Sequence, residues 1–218
     1  MERDEFLKKL EIELKISKNS QYTIRNYVQA NKDLLDKTKK NPEEITEENL
    51  KEFIINNLQK NSANSIIVFL AAIKYAYLNI LHKDITLTIK RPRRDKKIPE
   101  VLSKEEIKQL INSLDTEKSR LMVSLIYACG LRVSELTHLK LVDFDFNSKT
   151  GNIRQAKGRK DRVFNIPSFL FTQLQNYSLE QKKLKKDYLF TGPNGKLSSR
   201  NIQKIVSGAA SRAGIKKS

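Results

Sequence analysis

Tryptophan is absent, cysteine occurs once (Cys129) and histidine twice (His82 and His138). A single cysteine rules out an internal disulfide and any multi-cysteine zinc site. Two histidines make a His-based metal centre equally hard to assemble. Glycine and proline number seven and five in 218 residues, which excludes collagen-like and Pro/Gly-rich low-complexity chains. The longest uninterrupted apolar run, Ile66 to Ile73, is eight residues, against the ~20 that span a bilayer. Charged residues surround Phe6 and Leu7 at the start, which is not the pattern of a secretory leader. The expectation is a soluble, cytoplasmic protein of a reducing compartment with no membrane partner.

What is abundant is positive charge. Lys and Arg number 42 against 25 Asp and Glu, a formal charge of +17. Residues 1–83 are almost balanced, with 14 basic and 12 acidic side chains, whereas residues 101–218 carry 22 basic and ten acidic ones. With 39% hydrophobic residues the chain can build a core. A near-neutral N-terminal part and a strongly basic C-terminal part predict two domains, the second suited to polyanions. A compositional bias toward Lys, Asn and Ile would produce the same excess.

Apolar spacing predicts helices around Phe6–Leu14 and from Ser20 or Gln21 to the stop at Asn41-Pro42. It also predicts one opening at Thr46 with Leu50, Phe53, Ile54 and Leu58 inward, and a strongly apolar one over Ser65–Leu81. Four helices in about 80 residues make a bundle. Lys90 to Pro99 is Pro-punctuated and cationic, an extended linker that can follow a phosphate backbone through Arg93 and Arg94, or simply stay solvated. The second domain starts at the capping box Ser103–Glu106. A buried helix, Ser119–Cys129, follows and ends at Gly130, with Tyr127 read as core. Then come a short helix (Arg132–Leu139), strands over Asn147–Gln155 and Arg162–Ile166, and helices over Ser168–Tyr177 and Ser199–Arg212. Tyr188-Leu189-Phe190 reads as a core strand. The fold class is mainly α with a small antiparallel β-sheet.

Phosphate-binding Gly-rich loops, HExxH and GxSxG are all missing. Two constellations remain. In Cys129-Gly130-Leu131-Arg132-Val133-Ser134-Glu135-Leu136, a helix ends and an Arg opens the next, with Glu135 spaced to orient its guanidinium. Arg132 held this way suits bidentate capture of phosphate, though an ordinary helix-start ion pair has the same spacing. In Lys157-Gly158-Arg159-Lys160-Asp161-Arg162, four cations crowd a turn between strands. Lys157 there can have a lowered pKa and donate a proton, and a solvated turn is the simpler alternative.

These segments, with VLSKEEIKQL at the domain start and NSQYTIRNY in the first bundle, resemble the tyrosine recombinase (phage integrase) family, especially its Xer-like, archaeal branch. The resemblance runs the length of the chain in order. It implies an N-terminal SAM-like core-binding domain (1–83), a basic linker (84–99) and an α+β catalytic domain (100–218), together clamping double-stranded DNA. It implies strand cleavage and rejoining through a 3′-phosphotyrosyl intermediate, without metal or nucleotide. Arg132 matches the first catalytic Arg, Glu135 its acidic support, and Lys157 the lysine that protonates the departing 5′ oxygen. Lys18, Ser20, Thr23 and Arg25 match a DNA-facing loop and helix start. Ser62, Asn64 and Lys74 are further DNA contacts expected in the first domain, and Arg159, Lys160, Arg162, Ser198 and Arg200 in the second.

The family's His-x-x-Arg motif and its late Tyr nucleophile have no counterpart in these 218 residues. No His follows His138, and Tyr177 and Tyr188 come too early to match the nucleophile. The catalytic domain is therefore expected to lack its C-terminal part. A shortened chain, a split gene whose second polypeptide supplies the remainder, and a recombinase that keeps only DNA binding each account for this. The intact family member is expected to act as a tetramer on paired sites. A regulatory DNA clamp and a basic RNA-associated protein are the competing readings.

Overall fold

The computed structural model describes residues 1–93, 98, 100–154, 161–192 and 195–217. They form two units, 1–98 and 99–218. In the first unit α1 (Arg3–Ile16), α2 (Gln21–Thr38), α3 (Glu47–Phe53) and α4 (Ala63–Leu81) follow one another. Side chains at Ser20, Thr46 and Ser62 cap α2, α3 and α4 by accepting the backbone N–H three residues on, satisfying donors that each helix start leaves open. α3 runs into one π-helical turn, Ile54–Leu58. Leu50 and Phe53 are buried, while Ile54 and Leu58 only reach the margin of the core.

The bundle core is built at helical spacing. Phe6, Leu10 and Leu14 of α1 meet Leu34 and Leu35 of α2 and Leu70, Ile73 and Tyr77 of α4. The Phe6 and Tyr77 rings pack edge to face at 5.4 Å, and Phe53 stacks on Phe69 at 5.1 Å, geometries that add to simple burial. Asn31 reaches from α2 to the Ala72 carbonyl of α4 at 3.2 Å. α4 begins at Ala63, two residues before the predicted start, because Ser62 provides the cap. By length and composition it could cross a membrane, with mean hydropathy 1.5 over a window that is 33% buried. Counting only uninterrupted apolar residues missed this, since Lys74 is its sole charge. Its buried side, with Leu70, Ile73 and Tyr77, packs against α1 and α2.

In the second unit α5 (Lys104–Asn112), α6 (Glu117–Cys129) and α7 (Val133–His138) precede β1 (Phe144–Asp145), β2 (Thr150–Ile153) and β3 (Arg162–Asn165). Then come α8 (Ser168–Lys183), β4 (Thr191–Gly192), β5 (Gly195–Lys196) and α9 (Ser199–Arg212). Ser103 and Glu106 form the predicted capping box on α5. Thr116 caps α6, so this helix starts earlier than its apolar run, and Gly130 ends it at φ +59, a left-handed conformation that glycine takes without a Cβ clash. α6 packs into a core with Leu136, Ile153, Phe164, Leu174, Phe190 and Ile202.

The sheet order is β1-β2-β3, all antiparallel. β1 and the β4–β5 hairpin, each strand two residues long, were not predicted. β2 begins at Thr150 rather than Asn147, because Asp145 accepts the N–H groups of Asn147 and Ser148 and turns the chain first. Tyr188 pairs with Lys140 only as an isolated bridge, so Tyr188-Leu189-Phe190 is not a strand, although Leu189 and Phe190 are buried as expected. α8 continues six residues past Tyr177 to Lys183. Tyr127, read as core, is 54% exposed. The buried side of α6 carries Leu121, Met122 and Leu125; Tyr127 falls off it and borders an apolar groove with Ile107, Ile111 and Phe169.

Gly151 faces Phe164 across the β2–β3 pair. A Cβ there would sit 2.3 Å from Phe164 Cζ, so Gly151→Ala must displace a core ring. It is expected to cost about 1–3 kcal/mol, read as a lower urea midpoint of unfolding.

Candidate nucleic-acid interface and active site

Glu135 stands at the centre of the site. It lies in the first turn of α7 and is 6% exposed. Its Oε1 accepts from Arg132 Nη1 at 2.6 Å. Its Oε2 accepts from the Arg132 backbone N–H and from Arg162 Nη2, both at 2.8 Å. Arg162 Nη2 also donates to the Gly130 carbonyl at 2.9 Å. Burial by itself would raise the Glu135 pKa. The Arg132 backbone N–H and the Arg162 and Arg132 guanidinium groups outweigh it and hold the carboxyl below its ordinary value. One ionised carboxylate therefore serves two guanidinium groups.

Local sequence explains the arrangement. Gly130 turns the chain out of α6, and Arg132 becomes the N-cap of α7, one residue outside the helix predicted to contain it. Glu135 three positions on then reaches back to the Arg132 N–H, as a capping-box acid does. Its negative charge also complements the N-terminal end of α7. The Arg132 side chain is 57% exposed. Among the described residues no other hydrogen bond engages its guanidinium, which leaves donors facing solvent in the fork geometry that matches phosphate.

The other predicted positions divide. Ser20, Ser62 and Ser198 are helix N-caps, each accepting a backbone N–H. Ser20 Oγ also meets Thr23 Oγ1 at 2.9 Å. Lys18 turns the chain between α1 and α2 at φ 53, and Arg25 lies over the Tyr22 ring at 5.7 Å. Asn64, Arg93 and Arg200 are exposed. Lys74 is paired with Asp84 at 2.7 Å. The Asp84 carboxyl, which burial would raise, is held low by Lys74 and Thr86. Arg162, expected to contact phosphate, has its guanidinium on Glu135 and the Gly130 carbonyl. Arg94, Lys157, Arg159 and Lys160 lie outside the described residues.

Several charged groups around the site escaped the sequence reading. Arg154, at the end of β2, pairs with the buried Asp143 at 2.8 Å. Lys140 and Lys196 lie over the Tyr188 ring at 5.7 and 5.5 Å. His138 is exposed; its Nε2 lies 2.6 Å from Lys196 Nζ and its Nδ1 2.6 Å from the Ser134 carbonyl. These contacts join residues up to 58 apart in sequence, and no local pattern marks them. Cys129 Sγ donates to the Asn165 carbonyl at 3.5 Å. Burial pushes this thiol up to about 11, against the opposing charge of Arg162, so at neutral pH it is a packing group rather than a nucleophile.

Family models match nearly all of this architecture. Residues 100–218 match the phage integrase family, and residues 6–87 match the phage integrase N-terminal SAM-like domain. The chain belongs to the phage integrase family. Among relatives of this integrase-family chain, a tyrosine recombinase of Pseudothermotoga lettingae is 38% identical over 130 residues, 59% of this chain and 45% of that protein. Tyrosine recombinase XerA of Pyrococcus furiosus is 37% identical over 134 residues, 59% of this chain and 46% of that protein. The chain thus spans about half the length of these curated relatives. The crystal structure of a lambda integrase dimer bound to a COC′ core site shares the fold with a TM-score of 0.76 at 16% identity, over 98% of this chain and 64% of that one. The resemblance carried by Cys129–Leu136 and the basic turn therefore holds at family level, and the mainly helical fold with a small antiparallel sheet is the integrase fold.

Proposed function

We propose that this chain forms the core-binding part and the first portion of the catalytic part of a site-specific DNA recombinase. In this reading Arg132 grips the scissile phosphate of duplex DNA, and Glu135 holds that guanidinium in place. Lys157 protonates the departing 5′ oxygen. The observation that carries the reading is the Arg132–Glu135 pair: a buried, ionised carboxylate presents an exposed Arg at a helix start. Stabilising a pentavalent phosphate with fixed guanidinium groups is electrostatic catalysis that costs no rearrangement at the moment of reaction. The N-caps Ser20, Ser62 and Ser198, with Lys18, Thr23, Arg25, Asn64, Arg93 and Arg200, supply backbone-positioning contacts, which fix register without reading bases. Lys74 joins them by exchanging Asp84 for phosphate. Assembly into oligomers on paired sites belongs to the same reading, as does a second polypeptide supplying the His-x-x-Arg and Tyr groups.

The 218-residue polypeptide alone is expected to bind duplex DNA in preference to RNA and to form no covalent adduct on a nicked suicide duplex. A mobility-shift assay and denaturing electrophoresis of the suicide reaction check both. An adduct formed by this polypeptide overturns the assignment of the nucleophile elsewhere, and equal affinity for RNA overturns the duplex-DNA reading.

A further inference from the structure

Arg162 carries charge in the basic segment next to Lys157, and by composition alone it would be one more phosphate contact. Its geometry says otherwise. A single terminal nitrogen, Nη2, lies 2.8 Å from Glu135 Oε2 and 2.9 Å from the Gly130 carbonyl. Glu135 is buried, and the Arg162 side chain is 37% exposed against 57% for Arg132. Gly130 and Glu135 lie on either side of Arg132, so Arg162 fastens both ends of the turn that presents it. A second tether runs alongside, from Cys129 Sγ to the Asn165 carbonyl at the other end of β3.

We infer that Arg162 is a positioning residue: it acts on phosphate through Arg132, by fixing Glu135 and the Gly130 carbonyl, and makes no phosphate contact of its own. The inference rests on the proposed phosphate role of Arg132. It also assigns β3 a second duty. One guanidinium ties the start of β3 to the turn that carries Arg132. The guanidinium is then a strut between β3 and the turn that presents Arg132. Lysine is a poor replacement, because its ammonium ends one atom short of the Nη2 that meets both the carboxylate and the carbonyl, on a more flexible stem.

The test is a cycle of salt titrations on a mixed-sequence duplex, using the full 218-residue chain. Each phosphate contact contributes about 0.9 to the slope of log affinity against log salt. Arg132→Ala should lower the slope by about 0.9. Arg162→Gln, and Arg162→Lys with it, should lower the slope by a similar amount when Arg132 is present and leave it unchanged in the Arg132→Ala background. A role confined to stability moves the melting temperature and not the slope. If Arg162→Gln does not fold, Arg162→Lys and Glu135→Gln carry the same cycle, because each disturbs the strut while retaining polar packing.

Equal slope changes in both backgrounds make Arg162 a phosphate contact in its own right and overturn the inference. So does an unchanged slope in both, or full rescue by lysine. A wild-type chain that binds without salt dependence overturns the functional reading itself, a result separable from all of these.

Discussion

Raising the salt from 50 to 200 mM is expected to weaken duplex binding by ~10³-fold or more, if six to ten phosphates are neutralised. The formal charge of +17 sets the direction, and its distribution sets the size. Residues 101–218 hold 22 basic against ten acidic side chains, several of the acids already committed inside the protein. Glu135 binds two guanidinium groups, Asp143 pairs with Arg154, and Glu106 pairs with Lys217. Exposed cations such as Arg200 are those expected to release counterions condensed on DNA. Fluorescence anisotropy across a salt series measures the slope directly; a flat profile contradicts a binding mode built on phosphate contacts.

Glu135→Ala is expected to be the most damaging single change in the site. It removes three charge-assisted hydrogen bonds and leaves Arg132 and Arg162 with no common partner. Breaking an ion pair buried on both sides costs ~3–5 kcal/mol. Here both guanidinium groups reach solvent and can be rehydrated, so about 2–3 kcal/mol is expected for unfolding of the second unit. Far-UV circular dichroism during urea unfolding reads the loss in this tryptophan-free chain. The pH dependence follows from the lowered Glu135 pKa. The carboxylate's stabilisation is complete above the unfolded value near 4.5 and is lost as pH falls through the lower folded value. Glu135→Gln removes that acid-side loss from the difference profile, while a wild-type profile flat through this window contradicts the buried ionised carboxylate.

Much of the fold was legible because its helix boundaries are chemical. Thr46 and Ser103 read as caps in the sequence and cap α3 and α5 in the structure, and α2 opens after Ser20 as its sequence suggests. Gly130 ends α6 for a backbone reason visible in one letter. The two-residue strands were not legible, because a pair of residues carries no alternation to detect. Tyr127 was misread for a different cause: its sequence neighbours are apolar, but helical rotation carries it away from the side on which Leu121 and Leu125 pack. Within the site, Arg132 and Glu135 were found because three-residue spacing brings them together on any helix start. Arg162 meets Glu135 from 27 residues away, a contact that exists only after β3 has docked beside the α6–α7 turn. Local periodicity therefore revealed the local half of the site and assigned Arg162 by its charge alone.

The apolar length of α4 has a consequence for biosynthesis. As it leaves the ribosome, this 19-residue stretch offers targeting factors and chaperones the same greasy signature as a nascent membrane anchor. Chain order supplies the protection: α1 and α2, which cover its core side, have already emerged and can close over Leu70, Ile73 and Tyr77 as soon as they appear. Rearranging the gene so that α4 is translated first would deprive the newborn segment of that shelter and divert it toward insertion or aggregation, even though the finished protein would contain the same contacts.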